Sequence, residues 1–176
     1  MQTDAKQDFR LILASGSPRR RELLTKMGYT FEIIKPDVDE HVKGLARDVV
    51  RVLSQRKAEA AARDVHSGVI IASDTLVSLD GAALGKPEDE ADARRMLHML
   101  SGRTHEVFTG VTIIDTDHNR AQTRVVRTGV QFRNLTDAEI DQYISTGEPM
   151  DKAGAYGIQG KGTFLVESIS GNYDNV

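Results

Sequence analysis

The chain has 176 residues, of which 39% are hydrophobic and 28% charged, and a formal net charge of −3. These values fit one globular domain, or one domain with two lobes, and the acidic balance argues against a nonspecific nucleic-acid binder, which is normally basic. With no cysteine there is neither a disulfide frame nor a thiolate metal site.

Met1 to Asp8 is polar and lacks the apolar stretch of a signal peptide. No run approaches the ~20 apolar residues of a membrane span. The expectation is a cytoplasmic protein with no membrane or nucleic-acid partner. Residues 1–8 read as a flexible extension and 9–176 as a single domain. Aromatic residues make up 5% and Trp is absent, so the core must rest on Val, Ile, Leu, Ala and Met.

Phe9 to Ala14 is a short apolar run, expected as a buried strand. Ser15-Gly16-Ser17-Pro18 turns into a helix, with Ser17 as N-cap and Pro18 at the first helical position, running to about Met27 before Gly28. Tyr29 to Ile34 reads as a strand and Lys35 to Gly44 as a polar loop. Leu45 to Arg63 is helical, with Val49, Leu53, Lys57 and Ala60 on one face. Val69 to Leu79 is a strand run interrupted by Ser73-Asp74-Thr75, and Asp80-Gly81 is a hairpin turn.

Pro87 is expected to open a helix with Glu88, Asp89 and Glu90 in its first turn and Ala93, Met96, Leu97 and Leu100 on its apolar face. Thr104 to Ile114 and Arg120 to Phe132 are strands joined at Asp117-His118-Asn119. Thr136-Asp137-Ala138-Glu139 is a capping box. Its helix stops at Gly147 and Pro149, a glycine-rich loop spans Asp151 to Gly162, and a last strand spans Thr163 to Ile169. The alternation points to an α/β fold with a mixed sheet.

Five features carry chemistry. Ser15 to Arg21 places three arginines in the first turn of a helix, where they oppose its dipole. A bound phosphate reverses the sign of that effect, since the helix N-terminus offers free N–H groups and Arg offers forked donors. Solvated arginines on an ordinary capped helix are the bland alternative. Asp74, inside an apolar strand run, is costly unless paired, hydrogen-bonded or metal-bound, and is a candidate to orient or deprotonate a water. Capping a neighbouring backbone at a strand end would equally account for it.

Lys57 lies on an apolar helix face and Lys86 just before a helix start; each taken alone reads as structural, Lys57 snorkelling to the surface and Lys86 as a loop charge. Asp37, Asp39, Glu40 and His41 crowd one loop whose carboxylates suit Mg²⁺, although a solvated acidic loop accounts for them as well. In the glycine-rich loop Tyr156 is placed to stack and the Gln159 amide to meet a base edge, against a plain hairpin loop. Gly81 to Pro87 is not a P-loop, because its spacing is one short and no Ser or Thr follows Lys86.

In this order, Leu13-Ala14-Ser15-Gly16-Ser17-Pro18-Arg19-Arg20, Ser73-Asp74-Thr75, Gly85-Lys86-Pro87, Leu100 to His105 and Asp151 to Gly160 resemble the Maf family of nucleotide pyrophosphatases, described historically as septum-formation inhibitors. The resemblance spans Leu11 to Val176. It implies a twisted mixed sheet with flanking helices and two lobes around a deep cleft, related to the inosine-triphosphate pyrophosphatases, and often a homodimer. It implies metal-dependent cleavage between the α and β phosphates of a nucleoside triphosphate, with Mg²⁺ or Mn²⁺.

By the same resemblance Asp74 is the proton acceptor, and Arg19, Thr75 and Gln159 are specificity positions. Glu40, Lys57 and Lys86 fall where family members carry charged cleft residues. Taken with the residue chemistry above, the expectation is that Ser15, Ser17, Arg20, Lys57 and Lys86 bind phosphate and that Glu40 joins Asp74 in holding the metal. The Ala155-Tyr156-Gly157-Ile158-Gln159 form resembles the dTTP/UTP branch. Uracil and thymine share an O4 acceptor and an N3–H donor that one amide can meet, whereas cytosine reverses that edge. A 7-methyl-GTP pyrophosphatase and a nucleotide-binding regulator of cell division without turnover are the alternatives. Family members usually continue through Gly-Leu-Pro into a final helix; this sequence ends at Asn175-Val176.

Overall fold

A computed structural model describes residues 7–176. Residues 1–6, most of the expected N-terminal extension, lie outside the described range. Gln7 is tied to Thr30 in both directions: its amide donates to the Thr30 carbonyl at 2.8 Å and accepts from the Thr30 N–H at 2.9 Å.

The elements in chain order are β1 (Leu11–Ala14), α1 (Pro18–Lys26), β2 (Glu32–Ile34), α2 (Ala46–Ala62), β3 (Val69–Leu79), β4 (Ala82–Leu84), α3 (Glu90–Leu100), β5 (Thr104–Asp115), β6 (Arg120–Phe132), α4 (Asp137–Ser145) and β7 (Val166–Ser170). The sheet has seven strands in the order β2-β1-β3-β5-β6-β7, with β4 paired to β3. β1 is parallel to β2 and β3, while the β3–β4 and β6–β7 pairs are antiparallel. The α/β class with a mixed sheet and flanking helices is the one expected. No helix among the described residues is long and apolar enough to cross a membrane.

The chain divides into two compact units. The first holds residues up to Lys43, Val49–Asp74 and Gly110–Arg124; the second holds Gly44–Asp48, Thr75–Thr109 and Val125–Val176.

In the first unit β1 is buried on both faces, which is why it reads as a continuous apolar run. Ile12 and Ala14 pack with Ile70 and Ala72 of β3 and with Ala58 and Ala61 of α2. The alternate residues, Leu11 and Leu13, pack with Leu24 of α1. Each large aliphatic side chain so withdrawn contributes about 1.5–3 kcal/mol. Helix α2 lies flush on the sheet because Gly110 of β5 has no side chain: a Cβ there would stand 2.2 Å from the Val50 carbonyl oxygen. A buried polar ladder adds a second anchor. The hydroxyls of Ser54 and Thr112 are 2.9 Å apart, as are those of Thr112 and Thr123.

The second unit is organised around Leu97, Leu100, Val130, Phe132, Ile140 and Tyr143, each at most 1% exposed. Helix α4 carries the expected capping box, Thr136 and Glu139 each bonding the other's backbone N–H. The expected apolar face of α3 is fully realised, with Ala93, Met96, Leu97 and Leu100 all buried.

Several expected boundaries shift. Helix α3 begins at Glu90 rather than Pro87, because the Asp89 side chain caps it by accepting the Asp92 N–H at 2.7 Å. Strand β3 is not interrupted at Ser73-Asp74-Thr75; it continues through them, and the Asp74 and Thr75 side chains find partners in Lys57 and Thr109. On α2 the buried positions after Leu53 are Ser54, Ala58 and Ala61, not Ala60. The last strand starts only at Val166, because Lys161–Leu165 winds into a 3₁₀ turn.

Gly110→Ala should lower unfolding free energy by about 1–3 kcal/mol in urea titrations, since the obstacle is backbone. Gly129→Ala serves as the control, because its added Cβ would meet Ser170 only at 3.7 Å and should shift the midpoint much less.

Candidate active site

In the first unit the local sequence of β3 places an acid against α2. Ile70 and Ala72 face α2, and the two-residue period of a strand puts Asp74 next on that side. Its Oδ1 accepts from Lys57 Nζ at 2.6 Å, and the same ammonium lies 2.8 Å from Glu40 Oε1. The Lys57 and Asp74 side chains are only 12% and 13% exposed, while Glu40 is 63% exposed. Lys57 is therefore neither a snorkelling surface charge nor an apolar-face anomaly: it is the counter-ion of two acids. Asp74 Oδ2 accepts from no described residue.

The Ser15–Arg20 segment closes on itself beside this group. Ser15 Oγ accepts the Ser17 N–H and an Arg20 guanidinium N–H, both at 3.1 Å. Ser17 occupies the N-cap position, but its hydroxyl does not cap α1, and no acid lies in the first turn. The expected side-chain cap is thus replaced by a turn in which Ser15 takes the N–H of Ser17. Helix α1 starts with uncapped N–H groups and three arginines, the state in which an anion is most favourable.

Burial lowers the pKa of Arg20; Asp74 and Glu40 act against that shift, and Arg19 adds to it. These dependences bring Arg19, Arg20, Glu40 and Asp74 within electrostatic reach of one another. Lys35 escaped notice in the sequence: its methylene chain runs 3.4–3.6 Å from where a Cβ on Gly16 would stand. A lone lysine at the end of a short strand carries no signal that would reveal this.

In the second unit three sequence-flagged segments appear. The Thr75 hydroxyl lies 2.8 Å from that of Thr109. Lys86 is exposed on the connection from β4 to α3, and the preceding Gly85 carbonyl accepts the Gly154 N–H at 3.0 Å, stitching that connection to the glycine-rich loop. Gln159 is exposed on that loop, and its amide makes no hydrogen bond to a described residue. The loop is not a plain hairpin: Gly154 and Ala155 both take left-handed backbone, at φ 70° and 59°. For Ala155 that conformation stores strain of about 1 kcal/mol or more, held by the surrounding packing.

Tyr156 corrects an expectation. It is 4% exposed, its ring lies edge-on to Phe132 and His105, and its hydroxyl is 2.7 Å from His105 Nε2. It belongs to the core and presents no face to a base. Burial pushes the Tyr156 hydroxyl pKa up and lowers His105 to about 4.

A phosphate-ready helix start, a lysine-paired strand acid and a rigid glycine-rich loop carrying a free amide suit a nucleotide-handling enzyme, and the chain belongs to the Maf family: the model for "Maf-like protein" matches residues 10–176. Among curated proteins it is similar to the dTTP/UTP pyrophosphatase of Carboxydothermus hydrogenoformans, with 52% identity over 168 residues, covering 95% of this chain and 90% of that protein. It is also similar to the dTTP/UTP pyrophosphatase of Dictyoglomus thermophilum, at 48% over 169 residues, covering 94% and 88%. A dTTP/UTP pyrophosphatase of Bacillus cereus is 48% identical over 169 residues, covering 95% and 87%.

Two outcomes follow. Lys57→Met strands the buried Asp74 carboxylate, the exposed Glu40 falling back on water, and should cost about 3 kcal/mol in denaturant unfolding. Adding Asp74→Asn should recover part of that loss, so that the double variant is more stable than Lys57→Met alone. For His105 the folded pKa lies below the unfolded value, so the unfolded chain binds more protons between pH 6.5 and about 4. Stability should be fully present above pH 6.5 and fall by roughly 3 kcal/mol as the pH drops through that window. His105→Asn, compared by urea unfolding at pH 7 and pH 5, should show a smaller fall than the parent.

Proposed function

We propose that this chain hydrolyses dTTP and UTP to the monophosphate and pyrophosphate, with Asp74 as the base. The observation that carries the reading is the state of Asp74: one carboxylate oxygen is fixed by Lys57 at 2.6 Å and the other accepts from no described residue. A base so held has a defined orientation and an open proton-accepting oxygen. The names of the similar proteins support the substrate class.

In this reading the uncapped start of α1, with Ser15, Ser17, Arg19 and Arg20, takes phosphate oxygens by N–H and guanidinium donation. Lys57 and Lys86 add positive charge to that end of the substrate. Water oxygen bonds to phosphorus as the α–β bridging bond breaks, the electron pair leaves with the departing phosphate, and the water proton passes to Asp74 Oδ2. Positioning and charge neutralisation supply most of the acceleration. Thr75 and Gln159 discriminate the base, Gln159 through its free amide.

A divalent cation fits the donor set. The Glu40 and Asp74 carboxylates converge on the Lys57 ammonium, at 2.8 and 2.6 Å, and a pair of carboxylates is the hard-oxygen donor type that Mg²⁺ and Mn²⁺ prefer. No group of three or more His, Cys, Asp or Glu capable of holding a metal occurs among the described residues, so phosphate and water oxygens would complete the shell. When bound, the ion would neutralise charge on the phosphate oxygens. We read the enzyme as cytoplasmic and homodimeric, the latter on the family resemblance alone.

Pyrophosphate release from dTTP, UTP, CTP, GTP and 7-methyl-GTP with Mg²⁺ tests the proposal. The expected result is turnover of dTTP and UTP, with CTP rejected by roughly 100-fold or more, and loss of roughly 100-fold or more in kcat for Asp74→Asn. No turnover of any of the five by folded protein would remove the reading, and a preference for 7-methyl-GTP would redirect it.

A further inference from the structure

The glycine-rich loop is held by a residue that its own sequence pattern does not reveal. Gly147, at φ 73°, ends the turn after α4, and Glu148 follows at the start of a 3₁₀ turn spanning Glu148–Asp151. The Glu148 carboxylate reaches back into the loop. Its Oε2 accepts the Lys161 N–H at 2.9 Å, and its Oε1 accepts the Gly162 N–H at 3.3 Å and the Tyr143 hydroxyl at 3.1 Å. Tyr143 in turn accepts the Gly157 N–H at 3.1 Å. Three backbone N–H groups on either side of Gln159 are therefore fixed by one carboxylate, directly or through one hydroxyl.

The loop closes this tightly only because of its glycines. A Cβ on Gly160 would stand 2.7–2.9 Å from the Glu148 carboxylate, and one on Gly162 would stand 2.3 Å from the Gly157 carbonyl and 2.7 Å from the Tyr143 hydroxyl. Behind the carboxylate, Lys152 Nζ donates to the Glu148 carbonyl at 2.8 Å. Partial burial pushes the Glu148 carboxyl up, but the donated N–H of Lys161, the Tyr143 hydroxyl, the Gly162 N–H and the nearby Lys152 charge hold it below the usual range. It stays an acceptor-only carboxylate at neutral pH, as three donors require.

We propose that Glu148 is the positioning residue for base discrimination: its carboxylate, with Tyr143, fixes the Gly157–Gly162 backbone so that the Gln159 amide stands preorganised for the pyrimidine edge. This rests on the proposed reading of Gln159 as the base-reading group. Glu148 touches no substrate in this scheme and acts only through the loop. An amide at position 148 would turn a donor toward a donor, either the Lys161 or the Gly162 N–H, so Glu148→Gln is a small change with a specific effect.

The test measures the ratio of kcat/KM for dTTP over CTP in wild type, E148Q, Y143F, Q159A and the E148Q/Q159A pair, each checked for folding by circular dichroism. E148Q should lower the ratio roughly tenfold, the scale of hydrogen bonds to a charged group, with more of the change in the KM for dTTP than in kcat. Y143F should move it the same way by less. The double variant should fall no lower than Q159A, because both act through one amide. Should E148Q fail to fold, Y143F carries the test. A role in stability alone would lower the unfolding midpoint and leave the ratio untouched. A folded E148Q or Y143F with the wild-type ratio, alongside a Q159A that has lost it, overturns the inference. A Q159A that keeps the ratio overturns the base-reading role itself and the inference with it, so the two failures are separable.

Discussion

One ammonium group sets the geometry of the first unit. Lys57 holds Asp74 and Glu40 at once, so the loop after β2, the helix α2 and the strand β3 must converge on a single atom. A carboxylate at 13% exposure, stranded in a strand of Ile, Ala and Val, would otherwise carry a desolvation cost of several kcal/mol. The bare Gly110 and the Ser54–Thr112–Thr123 ladder hold the same helix, α2, close against the sheet. Removing the first charge would therefore unsettle a base and a fold together.

The second unit solves a different problem with different means. Its glycine-rich loop has no regular strand or helix long enough to hold it, so its shape comes from donors and acceptors counted one by one. Gly154 bonds to Gly85, Gly157 to Tyr143, and Lys161 and Gly162 to Glu148. A left-handed Ala155 survives at zero exposure because the packing around it leaves no alternative. The result is an exposed Gln159 on an otherwise determined backbone.

Much of this was legible in the residues, and the parts that were not share a cause. Periodicity located the strands and the apolar face of α3, because a two-residue or 3.6-residue repeat is a local property. The capping box at Thr136–Glu139 was readable for the same reason. Asp74 stood out because a lone acid in an apolar run demands an explanation. Its partner could not be named, since Lys57 is 17 residues away and the contact is tertiary. Glu148 was passed over because a Glu before a Pro looks like any turn residue, and the donors it satisfies lie 13 and 14 residues downstream. Asp89 took the helix start from Pro87 because side-chain capping outweighed the proline's preference for a first turn.

Tyr156 lies sealed among Phe132 and His105. It is the loop's single aromatic ring, so the glycine-rich loop offers the substrate no π surface. On the proposed reading, the nucleobase is judged by its hydrogen-bonding edge while the anionic tail supplies most of the grip. On that reading a pyrimidine with a larger ring face gains nothing from this loop, whereas one whose edge is altered loses its match to the exposed Gln159 amide.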